Sequence, residues 1–382
     1  MSTNHKFNVT LGLCVAALMS LLPSTVKAQE APCPFADDEI IVYVSPSTFA
    51  NVPSVKEAYQ SANLDAVLDK AASELDAKIN EALADNPEQK KYFNFIADFV
   101  KNDANESSAV KAALKCYFKY VDGVVVALDI PELGEKPDPQ AVLAGLSLTY
   151  VLNEDPNGLD VDSVLKSGEN YEIVKNADGK KIVKIKIKKD GKQIDVFFAT
   201  TKVKDVDKYV AVLSGTQELV EKKIDRFQGS NKFVVDRLDA KAISCVVLKT
   251  ELFDGIIAQL AKHEDQIEGP GKVAYNLFKK VQSFKAQTVG DAEGLCTTLT
   301  LEMRDAKSAK DVFDLANGGL AAARLSLKGK ENPSEDEKNA IEILDSNVLS
   351  HEEGSTTVTL KAPFGIKYMK IVAQKISEQS QR

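Results

Sequence analysis

Between residues 171 and 200 three short apolar or alternating runs, 171–175, 181–189 and 193–200, are separated only by segments that contain Asp178-Gly179 and Asp190-Gly191. Asp-Gly is a strong local signal for a tight hairpin, because a two-residue turn that matches the twist of the flanking strands needs positive φ at both central positions. Two such turns in succession predict an antiparallel meander and exclude an all-helical chain. Within the middle run Val183, Ile185 and Ile187 alternate with Lys184, Lys186 and Lys188. Side chains of a strand point alternately to its two faces, so the apolar set is expected to face a core and the three ammonium groups to face solvent.

Helical spacing of apolar residues supplies the rest of the architecture. A short strand at 39–44 closes at Ser45-Pro46 and is followed by helical stretches from about Val52, from Asn86-Pro87 and over 109–120. Strands are expected over 123–130, 141–152 and 209–213, and a helix over 216–227 with Thr216 as its N-cap. The second half runs in a similar order: a strand at 242–248, helices over 252–261 and 273–281, strands at 284–288 and 295–303, helices over 307–325 and 334–344, a strand at 356–361 and a terminal helix. The expected fold class is therefore α+β, antiparallel sheets packed with helices, in two loosely repeated halves. Their bounds are 29–235 and 236–382, after a leader of residues 1–28.

The opening Ile41-Val42-Tyr43-Val44-Ser45 and the duplicated order of helices on antiparallel strands resemble a group of exported bacterial proteins of unknown function. The resemblance implies an exported α+β protein and no particular activity.

The leader reading rests on Lys6 without any acid, the apolar run Leu11–Leu22, the break at Pro23, and small residues at Val26-Lys27-Ala28. That run is too short to span a bilayer as a helix, which takes about 20 apolar residues, and fits a signal sequence cleaved after Ala28. A secreted or periplasmic location follows. Loss of the leader's two lysines leaves 46 basic and 56 acidic residues, a net charge of −10. Such a balance argues against nucleic acid as a partner, since its recognition needs a basic footprint. Cleavage also leaves Cys33, Cys116, Cys245 and Cys296 in an oxidising compartment, where they could form two disulfides or stay as thiols. Cys245 has the surroundings of a buried strand thiol.

The candidate sites are few. The lysine face of Lys184, Lys186 and Lys188 could hold an anionic polymer, but lysines on an exposed strand are also a guard against edge-to-edge association. Asn153, Asp155 and Asn157 precede Gly158 with the alternation of a calcium loop, yet Val164 stands where the closing bidentate Glu belongs. An acidic turn is therefore the preferred reading of them. Only His263 and His351 remain after cleavage, and neither sits at metal-ligand spacing. Gly269-Pro270-Gly271-Lys272 lacks the first glycine of a phosphate loop, and Gly145-Leu146-Ser147 lacks the second glycine of a nucleophile elbow. No catalytic residue, cofactor or metal site is assigned. The sequence points to a non-enzymatic binding or structural protein of the periplasm or cell envelope with an unidentified ligand, an envelope protein or polysaccharide being one class of partner. Its rival is a hydrolase whose carboxylates converge only on folding. Mass spectrometry of the exported protein should find Gln29 at the N-terminus. An intact Met1 on exported material would remove the basis for this localisation.

Overall fold

The computed structural model describes residues 40–84, 87–128, 144–154, 171–175, 181–189, 192–204, 207–229, 242–262, 264 and 270–381. Strand β1 (Ile40–Val44) leads into helices α1 (Pro46–Asn51), α2 (Pro53–Ser61), α3 (Leu64–Ala82), α4 (Pro87–Ala104) and α5 (Ala109–Tyr120). Six strands follow, β2 (Val121–Leu128), β3 (Leu146–Leu152), β4 (Tyr171–Lys175), β5 (Lys181–Lys189), β6 (Lys192–Lys202) and β7 (Tyr209–Ser214), and then helix α6 (Gln217–Gly229). The second half holds β8 (Ala242–Leu248), α7 (Thr250–Ala261), α8 (Pro270–Phe278), β9 (Val281–Gly290) and β10 (Gly294–Met303). It ends with α9 (Ala306–Lys328), α10 (Glu335–Ser346), β11 (Val348–His351), β12 (Thr357–Gly365) and α11 (Ile366–Gln381).

Local chemistry sets these boundaries. Pro46 cannot continue a ladder, and Ser45 turns the chain into α1 by accepting the Thr48 amide at 3.2 Å. Thr216 caps α6 as the sequence predicts, with its hydroxyl 3.4 Å from the Leu219 amide. Asp305 caps α9 through the Ser308 amide at 2.7 Å, and Ser334 with Glu337 forms a capping box at the start of α10. The expected hairpins are present: β4 pairs with β5 to Lys175↔Lys181, and β5 with β6 to Lys189↔Lys192, which leaves a two-residue loop at Asp190-Gly191. The loop residues themselves lie outside the described residues.

All twelve strands join one sheet in the order β11-β12-β10-β9-β8-β1-β2-β3-β7-β6-β5-β4, and every neighbouring pair is antiparallel. The α+β class read from the sequence is the one found, with the strands of both halves in a single sheet. Outward from the β1·β8 pair the order is β1-β2-β3-β7-β6 on one side and β8-β9-β10-β12-β11 on the other. Each side starts with a strand, inserts helices, adds a hairpin, and closes with two more strands and a helix. Strands β4 and β5 occupy in the first half the place that α9 and α10 take in the second. Strand β11 has only four residues and was not expected from the sequence.

The sheet has helices on both faces, but unevenly. On the face that carries Ile41 and Tyr43, α6 lays Val220, Ile224 and Phe227 over Val125, Val151, Val210 and Val212. On the face that carries Val42, the second half is covered twice. Met369 and Ala373 of α11 join Ala58 of α2 over Leu295 and Phe364, while Phe253, Phe278 and Val312 from α7, α8 and α9 pack over Phe284, Leu301 and Val358. Fully burying side chains of this size contributes about 1.5–3 kcal/mol each.

Two glycines allow the packing to be tested with opposite signs. A Cβ at Gly123 would lie 2.6 Å from the ring of Tyr43, which is only 4% exposed and has no room to move. Gly123→Ala should lower stability by about 1–3 kcal/mol in chemical denaturation. Gly318 lies inside α9 with nothing within 4 Å of an added Cβ, so Gly318→Ala should raise stability by about 0.5–1 kcal/mol.

Candidate functional site

Strand register places one residue from each of the twelve strands in a single line across the sheet. From one edge to the other these are Leu349, Leu360, Leu299, Ala286, Val246, Val42, Val126, Leu148, Leu213, Phe198, Val183 and Ile173. Every one is apolar. In the second half Ala286 is fully buried and Leu349 packs in the cluster under α7, α8 and α9, while Leu360, Leu299 and Val246 are half-buried. In the first half Val183 is buried, Val42, Leu148, Leu213 and Phe198 are half-buried, and Val126 and Ile173 are each 37% exposed. Parallel rows on the same face are also apolar and half-buried, with Ile40, Leu128 and Leu146 on one side and Val44, Val124 and Tyr150 on the other. A continuous apolar surface of this kind on a folded protein marks an interaction site more often than it occurs idly.

The sequence reading did not find this surface, although a signal was present. Val124-Val125-Val126 and Val210-Ala211-Val212-Leu213 are continuous apolar runs, the pattern of strands apolar on both faces. Alternation in β5 was legible, but the sidedness differs from expectation. Lys184 lies on the face of Ile182 and the α6 core, opposite Phe197, whereas Ile185 lies on the half-open face of the row. At the start of this strand both faces are buried, with Ile182 in the α6 core 1% exposed and Val183 on the opposite face 4% exposed.

The lysine face is charge-matched. Lys184 Nζ sits 2.7 Å from Asp195 and 5.6 Å from the centroid of the Phe197 ring, and Lys186 Nζ is 3.5 Å from Glu172. The hydrogen bond between Lys184 and Asp195 holds the ammonium above, and the carboxyl below, its ordinary range. Lys188 is opposite Gln193 in the ladder. Of the calcium-loop residues, Asn153 Oδ1 accepts from Lys208 Nζ at 2.6 Å, an ammonium where a cation would have to bind. Asp155 and Asn157 lie outside the described residues. His351 Nδ1 is 3.1 Å from the Thr357 carbonyl, and its ring packs 5.7 Å from that of Phe313; His263 lies outside the described residues. Among the described residues no group of three or more His, Cys, Asp and Glu side chains converges as a metal site would require.

One cluster of ionisable groups does converge, between α4 and α5. Asp103 accepts from Tyr120 at 2.7 Å, from Cys116 at 3.3 Å and from Lys119 at 3.2 Å. These contacts, Tyr120 foremost, hold the Asp103 carboxyl below its usual range. Burial, reinforced by that carboxylate, pushes the Cys116 thiol up to about 11. The carboxylate is thus a weakened base and the sulfur a protonated thiol at neutral pH, so the pair is ill-suited to nucleophilic chemistry. Cys116, Cys245 and Cys296 are all free thiols, which removes any disulfide among these three; Cys33 lies outside the described residues. Burial likewise pushes Cys245 up to about 11. Cys245 lies on β8, Cys296 on β10 and Cys116 on α5.

No protein-family model matches the chain, and no curated protein matches it. Among solved structures, crystal forms III, I and IV of TP0453 align with 91%, 92% and 88% of this chain and with 100%, 99% and 93% of their own. Sequence identities are 9%, 8% and 8%, and TM-scores 0.36, 0.35 and 0.36. No helix among the described residues is long and apolar enough to cross a membrane.

Free, high-pKa thiols have a measurable consequence. Peptide mapping after iodoacetamide treatment should show Cys116 alkylated slowly at pH 8 and faster as pH approaches about 11, where its thiolate forms. Cys245, 3% exposed, should stay unmodified until the protein unfolds. Rapid labelling of both in the native protein at pH 8 would contradict these surroundings.

Proposed function

We propose that this is an exported, non-enzymatic binding protein of the periplasm or cell envelope, and that the half-open apolar face of its first half is the binding surface. The observation that carries this reading is the row Val42, Val126, Leu148, Leu213 and Phe198, in register across five adjacent strands and half-buried to exposed. Leaving such side chains partly in water forfeits hydrophobic stabilisation of about 25 cal/mol for each Å² not buried, which an apolar ligand would restore. Export rests on the leader sequence. Descent of 29–235 and 236–382 from one duplicated unit is part of the same proposal, supported by the matching strand order on either side of β1·β8. The closing helices differ, since α6 covers the Ile41 face and α11 the Val42 face.

The test uses an uncharged environment-sensitive dye, N-phenyl-1-naphthylamine. Its fluorescence should rise on mixing with the protein, and Val126→Glu and Leu148→Gln should each abolish most of that rise while circular dichroism stays native. Val126 is exposed enough to accept a charge without unfolding the sheet. Dye binding unaffected by both folded variants, or absent from the wild type, would overturn the assignment of this face.

A further inference from the structure

The two most exposed large apolar side chains among the described residues, Leu325 at 72% and Leu315 at 58%, belong to one helix, α9. Helical spacing sets them on one stripe with Gly318 and Ala322, which are exposed as well. The stripe lies on the side of α9 away from Ala309, Val312 and Phe313, the residues that pack toward the sheet. It is therefore separate from the half-open face of the first half.

Gly318 and Gly319 interrupt the middle of this 23-residue helix. A glycine inside a helix is destabilising relative to alanine, because it loses more backbone freedom on folding. A Cβ at either position would meet nothing within 4 Å, so packing within the chain gives no reason for the missing side chains. Close approach of a second helix does. The distance between two packed helices is set by the side chains at their contact, and small residues between flanking leucines let the axes come close.

The stripe is also symmetric about residue 320. A two-fold axis there sets Leu315 of one copy against Leu325 of the other, and Gly318 against Ala322, with the helices antiparallel. The same axis puts Asp311, which makes no ion pair among the described residues, against Gly329 of the second copy, between Lys328 and Lys330. Those two lysines are exposed, and each meets one carboxylate, Asp345 or Glu337, with ammonium protons left for another. Parallel helices would instead set Asp311 against Asp311. We infer that this stripe is a docking surface for a second copy of the chain, two α9 helices packing antiparallel across Gly318 and Ala322. From Leu315 to Leu325 the contact runs about 15 Å at ~1.5 Å per residue, short beside an interface of about 800 Å² per partner, so the pair dissociates on dilution.

Sedimentation velocity at rising protein concentration tests this. The mass of the wild type should climb toward twice that of a single chain. Gly318→Phe should stay monomeric at every concentration with native circular dichroism, because nothing within the chain lies near the new side chain. Leu325→Glu should do the same, and Asp311→Lys should weaken association several-fold. Orientation is read by mixing Leu315→Cys protein with Leu325→Cys protein under mild oxidation, where peptide mapping should find 315–325 cross-links in excess of 315–315 and 325–325. A wild type that stays monomeric, or a dimer that both Gly318→Phe and Leu325→Glu leave intact, would overturn the proposal. An excess of 315–315 cross-links would make the pair parallel and reject the antiparallel arrangement. A monomeric wild type that sediments with phosphatidylglycerol vesicles would assign the stripe to a bilayer and defeat the proposal.

Discussion

The fold depends on five residues hydrogen-bonded along both edges. Ile40–Val44 pairs with β2 from Ile40↔Leu128 to Val44↔Val124 and with β8 from Ile40↔Leu248 to Val44↔Ser244. Without β1, six strands would remain on one side and five on the other, each set ending in an unsatisfied edge of amide and carbonyl groups. The Ser45 amide extends the union by donating to the Ile243 carbonyl at 2.6 Å, just before Pro46 forces the chain out of the sheet. Tyr43 locks the centre from the side. Its ring is buried against Gly123 of β2, and burial pushes its hydroxyl up to about 12, so it stays neutral at any physiological pH.

Because β1 fixes both registers, it also fixes which residues share a face. A shift of one residue on either side would exchange the two faces of half the sheet and break the apolar row at Val42. In the second half Leu349 and Ala286 of that row are packed under helices or fully buried. In the first half α1 and α5 contact β2, while Ala58 of α2 packs in the α11 cluster and Lys70 of α3 donates to the Ser380 carbonyl of α11 at 2.6 Å. Helix α6, after β7, goes to the opposite face. Among the described residues the half-open surface follows from where these helices attach.

The legible part of this fold was what depends on neighbours in sequence. Hairpins at the two Asp-Gly pairs, the Thr216 cap, the α6 stripe of Val220 and Ile224, and nearly every described strand follow from turn chemistry and periodicity. Residues 183–187 show where legibility stops. Alternation reveals that a strand has an apolar side but not which helix, if any, lies over it; that depends on α6, more than thirty residues later, and on pairing of β5 with β6. The choice between disulfide and free thiol stayed open for a related reason, since sequence gives the number of cysteines but not their separation. Strand β11 was missed because four residues, Val-Leu-Ser-His, carry too little pattern to be read.

The β5–β6 hairpin brings these strands of reasoning to one place. Its two-residue loop leaves no freedom of register, and Ile182 and Ala199 anchor its base in the α6 core. Beyond that base the α6 face turns polar, where Lys184 meets Asp195 and Lys186 meets Glu172 across neighbouring strands, so water and counter-charges satisfy it. On the other face Ile185 lies opposite Val196, and both are half-buried. A hairpin whose solvated side is already the face shared with the core has no structural need for apolar residues on its outer side. Threonine at 185 and 196 would keep the strands paired. Apolar residues at these positions, continuous with the row from β1, are what the proposed binding surface would offer to a ligand.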